Sequence, residues 1–256
     1  MILFRAKTTQ AYQWKLLAEL LHNNIRTACF QISGDGIMLR MTDTHEKLLI
    51  DMNLSFENFD IYVFEGAPIF IGVNMSHFQK LLSCIKKKDS IEFSIYSETP
   101  NNLKIKIIPP KDNDRVIMSD IVIQTVQSIQ VEIDNDYDKP IVVSSSEYSK
   151  MCKDLSKMGS TINVSAKKFY MRFHSTMGNI YSRDVIFGED VSDDDIECDY
   201  NQDFDSEKLT RISKIAGLGT NIQIYAKNDM PLLLRTNVGT LGKISIYIKS
   251  RDLSLK

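Results

Sequence analysis

Four stretches of the chain repeat apolar residues at the spacing of an amphipathic helix. The third stretch opens with a capping box, Ser144-x-x-Glu147, in which a hydroxyl and a carboxylate satisfy free backbone N–H groups. Asp205 stands where it would cap the fourth. The pattern predicts helices over residues 10–21, 75–85, 144–159 and 205–216.

Short runs that alternate apolar and polar residues, rich in β-branched side chains, follow each predicted helix. Such runs are typical of half-buried antiparallel strands. Turn residues at Gly34-Asp35-Gly36 and at Lys227-Asn228-Asp229 indicate hairpins. The clearest predicted strands cover residues 28–33, 91–95, 162–166 and 222–226.

The order of these elements repeats once along the chain. Residues 78–95 resemble residues 209–226, an offset of roughly 130 in a chain of 256 residues. This duplication predicts an α+β protein with two similar domains, each an antiparallel sheet with two helices on one face. We expect an N-terminal domain over residues 1–126, a polar and acidic connector over 127–140 and a C-terminal domain over 141–256.

Charge is distributed unevenly over this nearly neutral chain. The formal net charge is −2, yet the helical stretches, counted as residues 9–26, 75–88, 144–159 and 205–216, hold 12 basic and 5 acidic residues. The remainder holds 19 basic and 28 acidic residues. This segregation predicts a phosphate-facing helical surface on a negative body, although solvation of an exposed helix face is the alternative for any single lysine. Aromatic residues do not interleave with the lysines, and the lysine-rich set contains few Arg, Asn or Gln side chains suited to base edges. Any contact to DNA would therefore be to phosphates rather than to bases.

No group of residues has the spacing of a catalytic or metal site. The cysteines, at positions 29, 84, 152 and 198, form no CxxC pair, so we expect reduced thiols that act as small buried hydrophobes. The histidines are scattered, and a solvated loop is favoured over a divalent-metal site in the acidic segment 189–205. The sequence predicts no enzyme, no cofactor and no metal. No apolar stretch has membrane-spanning length, so we expect a soluble, intracellular protein that makes no membrane contact.

Segments along nearly the whole chain match one known family. They are Thr27-Ala-Cys-Phe-Gln-Ile-Ser33, Gly36-Ile-Met-Leu39, Phe59-Asp-Ile-Tyr62, Ile71-Gly-Val-Asn-Met75, Met151-Cys-Lys-Asp-Leu-Ser-Lys-Met-Gly159 and Met230-Pro-Leu-Leu-Leu234. In their order and content they resemble the proliferating cell nuclear antigen family of sliding clamps. The resemblance implies a homotrimer that closes head-to-tail around double-stranded DNA and acts as a processivity factor in replication and repair. Strands near 120–126 and 178–183 would join neighbouring subunits, with apolar contacts from Ile121, Ile123 and Ile180.

The resemblance also implies two sets of site residues. Positions that match the DNA-facing residues of the family are Lys15, His22, Lys80, Lys150, Lys153, Lys157 and Lys214, with Arg211 as an added candidate. The Lys86-Lys87-Lys88 run is either a further contribution or a solvated helix end.

Partner proteins of the family insert a short peptide with apolar and aromatic anchors into a pocket. The implied partners are DNA polymerase, the clamp loader, ligase and nucleases. The matching positions here are Met41, His45, Leu48, Pro231 and Tyr247, with Ile129 and Val131 from the connector. For Met41, Leu48 and Tyr247, ordinary core packing is the alternative.

Two departures from the family pattern predict an altered partner preference. Glu46 stands where the pocket is usually apolar, and the residues after Tyr247, Ile-Lys-Ser-Arg-Asp, lack the usual Ala-Pro step. Three other functions stay open: a subunit of a heterotrimeric checkpoint clamp, a monomeric polymerase-accessory factor that grips DNA electrostatically, and, against the missing motifs, a nucleotide-processing enzyme. The family implies a location in the nucleus, or at a viral replication site for a virus-encoded protein.

Overall fold

The structure is a computed structural model that describes residues 1–111, 115–126, 136–167, 170–188, 200–251 and 253. The chain divides into two compact units. The first consists of Met1–Met41, Ile50–Val131 and Asn237–Ile244, and the second of Thr42–Leu49, Glu132–Thr236 and Ser245–Lys256. The predicted domain limits stay a prediction, and the predicted connector lies outside the described residues up to position 135.

The N-terminal half of the chain combines two helices with antiparallel strands. Its elements in order are β1 (Ile2–Thr8), α1 (Ala11–Asn24), β2 (Thr27–Ser33), β3 (Gly36–Thr42), β4 (Leu48–Ser55), β5 (Ile61–Phe64), β6 (Ile69–Asn74), α2 (Met75–Leu82), β7 (Ser90–Tyr96), β8 (Thr99–Ile108) and β9 (Ile117–Val122). A five-stranded sheet has the order β5-β1-β7-β8-β9, and β4, β3, β2 and β6 lie side by side in that order.

The C-terminal half repeats this plan. Its elements are β10 (Ile141–Ser144), α3 (Ser145–Leu155), β11 (Thr161–Lys167), β12 (Tyr170–Met177), β13 (Tyr181–Gly188), β14 (Tyr200–Asp205), α4 (Ser206–Ile212), β15 (Asn221–Tyr225), β16 (Leu232–Val238) and β17 (Gly242–Ile248). Strands β10, β15, β16 and β17 lie side by side, and a four-stranded sheet has the order β13-β12-β11-β14. In both halves the first strand pairs with the strand after the second helix. The shared order confirms the predicted duplication and the α+β fold class.

The helix ends follow the sequence prediction only in part. The Ser144 hydroxyl accepts the N–H of Glu147 at 3.3 Å, which confirms the predicted cap of α3. Asp205 occupies the N-cap position of α4 but makes no side-chain cap hydrogen bond there. Its carboxylate accepts from Nε of Arg251 at 2.7 Å instead, so the predicted N-cap position is confirmed, without a capping bond from the side chain. Helix α2 ends at Leu82, three residues before the predicted end, because a turn leads from there to β7.

An aromatic cluster joins α1 and α2 to β7 in the first unit. Trp14 of α1 lies edge-on to Phe93 of β7, with ring centroids 4.7 Å apart, and Phe78 of α2 stacks on Phe93 at 6.1 Å. All three side chains are buried. In the second unit Leu209 and Ile212 of α4, with Ile215 just after its end, form an apolar stripe that is buried as well. Burial of these stripes fixes which side of each helix faces outward.

The hairpin between β2 and β3 requires glycine at position 36. Gly36 has φ +138°, in the region that favours glycine, and pairs with Ser33 across the turn. A Cβ atom at this position would lie 2.0 Å from the carbonyl oxygen of Leu54. The predicted Gly34-Asp35-Gly36 turn is therefore confirmed, with a steric reason for its last residue.

Cysteine burial agrees with the prediction at two positions. Cys29 and Cys152 are buried, and burial raises the pKa of Cys152 to about 12. Cys84 is exposed, contrary to the prediction, because it lies in the turn after α2. Cys198 and residues 189–199 of the acidic segment lie outside the described residues. Within the described ranges, no helix is long and apolar enough to cross a membrane, and no three His, Cys, Asp or Glu side chains form a metal-binding group.

Candidate functional site

Each half of the chain places its two helices against each other. Helix α1 contacts α2, and α3 contacts α4. Because each helix buries one stripe, its opposite side is available to solvent. Seven of the eight predicted DNA-facing residues are exposed, namely His22, Lys80, Lys150, Lys153, Lys157, Arg211 and Lys214.

Three lysines line one side of α3 and its continuation. Lys150 and Lys153 lie on α3, and Lys157 follows just after its end. Spacings of three and four residues place side chains on the same side of a helix. In the described part of the chain none of the three forms an ion pair, so their charges are available to an external anion.

Arg211 is compensated within its own helix. Its guanidinium lies 2.5 Å from the Glu207 carboxylate, one turn earlier on α4. Exposed pairs of this kind contribute about 0 to 1 kcal/mol, so an external phosphate can compete with Glu207. The pair nevertheless makes Arg211 a weaker candidate for DNA contact than the lysines of α3.

Lys15 is bound within the protein. Its Nζ donates to the carbonyl oxygens of Ser83 at 2.7 Å and Ile85 at 3.2 Å, both in the turn after α2. A cation is favoured at the C-terminal end of a helix, where carbonyl groups lack intrahelical partners. The structure therefore gives Lys15 a positioning role between α1 and α2, which the sequence prediction did not include.

The predicted partner residues differ in burial. His45 is exposed and Pro231 is half-buried, whereas Leu48 and Tyr247 are only 4% and 5% exposed. These four belong to the second unit. Met41, in the first unit, is half-buried, and its sulfur accepts the N–H of Cys29 at 3.0 Å. Ile129 and Val131 lie outside the described residues.

Tyr137 connects two of these residues and was missed by the sequence analysis. Its hydroxyl donates to the carbonyl oxygen of Pro231 at 2.8 Å, and its ring centroid lies 6.4 Å from that of Tyr247. The ring also lies edge-on to Tyr225 at 5.9 Å. The next residue towards the N-terminus, Asp136, pairs with Lys227 at 2.6 Å. The only sequence signal was an aromatic residue within a polar, acidic segment.

The two departures from the family pattern lie in the second unit. Glu46 is exposed at φ 54°, in a turn where Asp43 accepts the N–H groups of Lys47 and Leu48. Among the residues after Tyr247, Arg251 donates its N–H to the Asp203 carbonyl at 2.8 Å and its guanidinium to Asp205.

The charge environment of Asp205 is strongly basic. Partial burial acts to raise its pKa, but the hydrogen bond from Arg251 and the charges of Lys208 and Lys47 outweigh burial. The pKa of Asp205 therefore lies below its usual value. The chain after Tyr247, which lacks an Ala-Pro step, is held by the backbone N–H groups of Lys249 and Arg251, which donate to Lys47 and Asp203, and by the Arg251–Asp205 pair.

Two strands lie at the ends of their sheets. Strand β9 ends the five-stranded sheet, and β13 ends the four-stranded sheet. Ile121 on β9 is only 6% exposed within its own unit, and Ile123 is half-buried. The most exposed apolar residues here are Met118 and Val122, at 73% and 67%, and Ile180, next to β13, at 81%. The predicted contact through Ile180 lies on an accessible surface, whereas Ile121 belongs to the core of its own unit.

Family comparisons agree with this duplicated architecture. The model of the N-terminal domain of proliferating cell nuclear antigen matches residues 3–136, and that of its C-terminal domain matches residues 131–251. "Probable DNA polymerase sliding clamp 1" of Paramecium bursaria Chlorella virus 1 is 26% identical over 255 residues, covering 96% of both chains. "Proliferating cell nuclear antigen" of Dictyostelium discoideum is 23% identical over 257 residues, covering 96% of this chain and 98% of the relative.

The duplicated α+β halves with paired basic helices define the class of DNA sliding clamps. Both family models together span nearly the whole chain, and the chain belongs to the proliferating cell nuclear antigen family. It functions as a DNA sliding clamp, a processivity factor that works with DNA polymerase in DNA replication. The predicted family and general function are thereby confirmed.

Proposed function

We propose that three copies of this chain close head-to-tail into a ring around duplex DNA. An exposed strand edge with apolar side chains is a template for pairing with another chain. The edges of β9 and β13 differ from each other, so pairing one with the other between successive copies forms a heterologous interface, which closes into a ring when the rotation fits. The exposed Met118, Val122 and Ile180 support this pairing.

Within the ring, the exposed basic residues of the helices contact DNA phosphates transiently. Lysine is a mobile point charge that does not read bases, so such contacts are independent of sequence. Each contact contributes about 0.9 to the salt dependence of binding. Because the closed ring holds DNA topologically, weak contacts are sufficient, and they permit sliding.

The clamp tethers its partners through a peptide site and does not itself catalyse a reaction. DNA polymerase, the clamp loader, ligase and nucleases are the proposed partners, each with a peptide that has aliphatic and aromatic anchors. The site combines the exposed His45 with Pro231, Tyr247 and Tyr137 of the second unit. Aromatic and aliphatic anchors in a partly buried pocket are typical of interface hot spots. The proposed location is the nucleus, or a viral replication site.

The pair of exposed apolar sheet edges carries the homotrimer proposal, and the mass in solution tests it. Size-exclusion chromatography with light scattering is expected to give about three times the chain mass of 29.3 kDa. A stable monomer at micromolar concentration would instead favour a subunit of a heterotrimeric checkpoint clamp or a monomeric electrostatic accessory factor. Replacing Ile180 by Asp is expected to convert the trimer to monomer, because a charge then enters the apolar edge contact.

A further inference from the structure

The turn after α2 displays three consecutive lysines on a well-defined scaffold. Ile85 and Asp89, which flank Lys86, Lys87 and Lys88, are 2% and 6% exposed. The Asp89 carboxylate accepts the N–H of Lys86 at 2.8 Å, and the N–H of Asp89 donates back to the Lys86 carbonyl at 3.2 Å. The three lysine side chains are exposed between these buried anchors. The turn is therefore fixed at both ends, and its three lysine side chains face solvent.

The same turn is attached to α1. Lys15 of α1 donates to the carbonyls of Ser83 and Ile85, which places a fourth ammonium group at the base of the turn. The Nζ of Lys87 lies 5.9 Å from the centre of the Tyr12 ring, also on α1. The lysine turn thus continues the basic side of the α1–α2 pair and is not a separate, mobile extension.

The positive charge of this turn has no compensating partner among the described residues. None of Lys86, Lys87 and Lys88 forms an ion pair there. The neighbouring carboxylate, that of Asp89, is buried and holds the main chain of the turn. Unpaired lysines in a cluster create a local positive potential that attracts a polyanion.

The chemistry of the turn favours nucleic-acid phosphates over an acidic protein. A protein interface of useful affinity needs buried apolar or aromatic anchors at its centre. Ile85, the large apolar residue of this turn, is already buried within the first unit, and the exposed residues beside the three lysines are the small Ser83 and Cys84. Phosphate contacts need only accessible cations on a fixed scaffold.

We propose that Lys86, Lys87 and Lys88 form a second phosphate-binding surface of the first unit, beyond the predicted DNA-facing residues of α1 and α2. The inference rests on the proposed encirclement of duplex DNA. The turn contacts the phosphate backbone without reading bases. It thereby raises the fraction of time that the DNA spends against the first unit while the clamp slides. In this arrangement Lys15 positions the turn, and the three lysines supply the contacts.

The test compares two variants of the full-length protein that lose the same charge. The first replaces Lys86, Lys87 and Lys88 by Gln. The control replaces three exposed lysines of the described chain outside the helices, also by Gln: Lys111, Lys139 and Lys243. Binding to a fluorescein-labelled linear duplex is measured by anisotropy between about 50 and 200 mM salt, and the slope of log K against log salt is compared. Light scattering checks that both variants keep the mass of the wild type.

In the lysine-turn variant the negative slope is expected to become shallower by at least about 0.9, the value of one lost phosphate contact, and in the control it is expected to change by less. An unchanged slope in the turn variant, with a reduced slope after replacement of Lys150, Lys153 and Lys157, would overturn this inference and leave the proposed function intact. An unchanged slope with reduced polymerase stimulation would also overturn it, and would assign the turn to an acidic protein partner. A wild-type slope near zero would contradict the proposed DNA contacts themselves.

Discussion

Replacing Lys15 by Met is expected to destabilise the first unit, although the residue matches a DNA-facing position. Methionine keeps the aliphatic part of the side chain and removes the ammonium group that donates to Ser83 and Ile85. Hydrogen bonds to charged groups contribute about 1.5 to 3 kcal/mol each. Because the bond to Ser83 is exposed to solvent, we expect a combined loss of about 1 to 2 kcal/mol, including the favourable interaction with the end of α2.

The fluorescence of Trp14 provides the assay. It is the only tryptophan of the chain, it is 3% exposed, and it precedes Lys15 on α1. Urea unfolding followed through Trp14 therefore reports on the first unit, where a loss of this size shifts the midpoint by about 0.5 to 1 M. Lys80→Met is the matched control, because Lys80 is exposed and its ammonium group makes no hydrogen bond within the described residues. Equal midpoints for the two variants would refute a positioning role for Lys15.

Three further predictions concern DNA, partners and acid. Replacing Lys150, Lys153 and Lys157 together by Ala is expected to lower polymerase stimulation at an unchanged trimer mass; full stimulation would remove them from the DNA-facing set. Tyr137→Ala is expected to weaken binding of an anchor peptide at least tenfold in calorimetry, because the ring beside Tyr247 is lost; undiminished affinity would place the pocket elsewhere. The hydrogen bond from Arg172 lowers the pKa of Asp184, with burial opposing it and His174 assisting. The stability that Asp184 contributes is therefore complete above the ordinary carboxyl pKa of 3.8 and is lost as the pH falls through the lowered pKa. Because Asp184 lies in the second unit and Trp14 in the first, urea unfolding is followed here by far-UV circular dichroism. Asp184→Asn is expected to flatten the dependence of the urea midpoint on pH in this acidic range, and identical profiles for variant and wild type would contradict this.

The fold was predictable because its signals are local and repeated. Helical spacing, alternating strands and a repeat of the element order after roughly half the chain together indicated two similar α+β halves. The capping residue Ser144 indicated where α3 begins. These signals depend on which residues are buried, and burial is periodic in sequence. They required no knowledge of which residues meet across the fold.

The details of the candidate site depend on contacts between residues far apart in sequence. Lys15 reaches the carbonyl of Ser83 over 68 positions, and Tyr137 reaches Pro231 over 94. The sequence shows that a residue is basic or aromatic, but it does not predict which distant carbonyl group or ring that residue contacts. The near-complete burial of Tyr247 has a practical consequence as well, because truncating such a core side chain costs about 3 to 5 kcal/mol and confounds a binding test.

Topological retention on DNA tests the encircling ring most directly. Without a loader, a ring can thread onto the free end of a linear duplex, whereas a covalently closed circle offers no end. After threading, both ends are blocked with biotin and streptavidin, and high salt then screens the phosphate contacts. We predict that the clamp stays on the blocked duplex at high salt and is released when the duplex is cut. Release from the blocked duplex at high salt, or equal binding to the closed circle, would contradict encirclement.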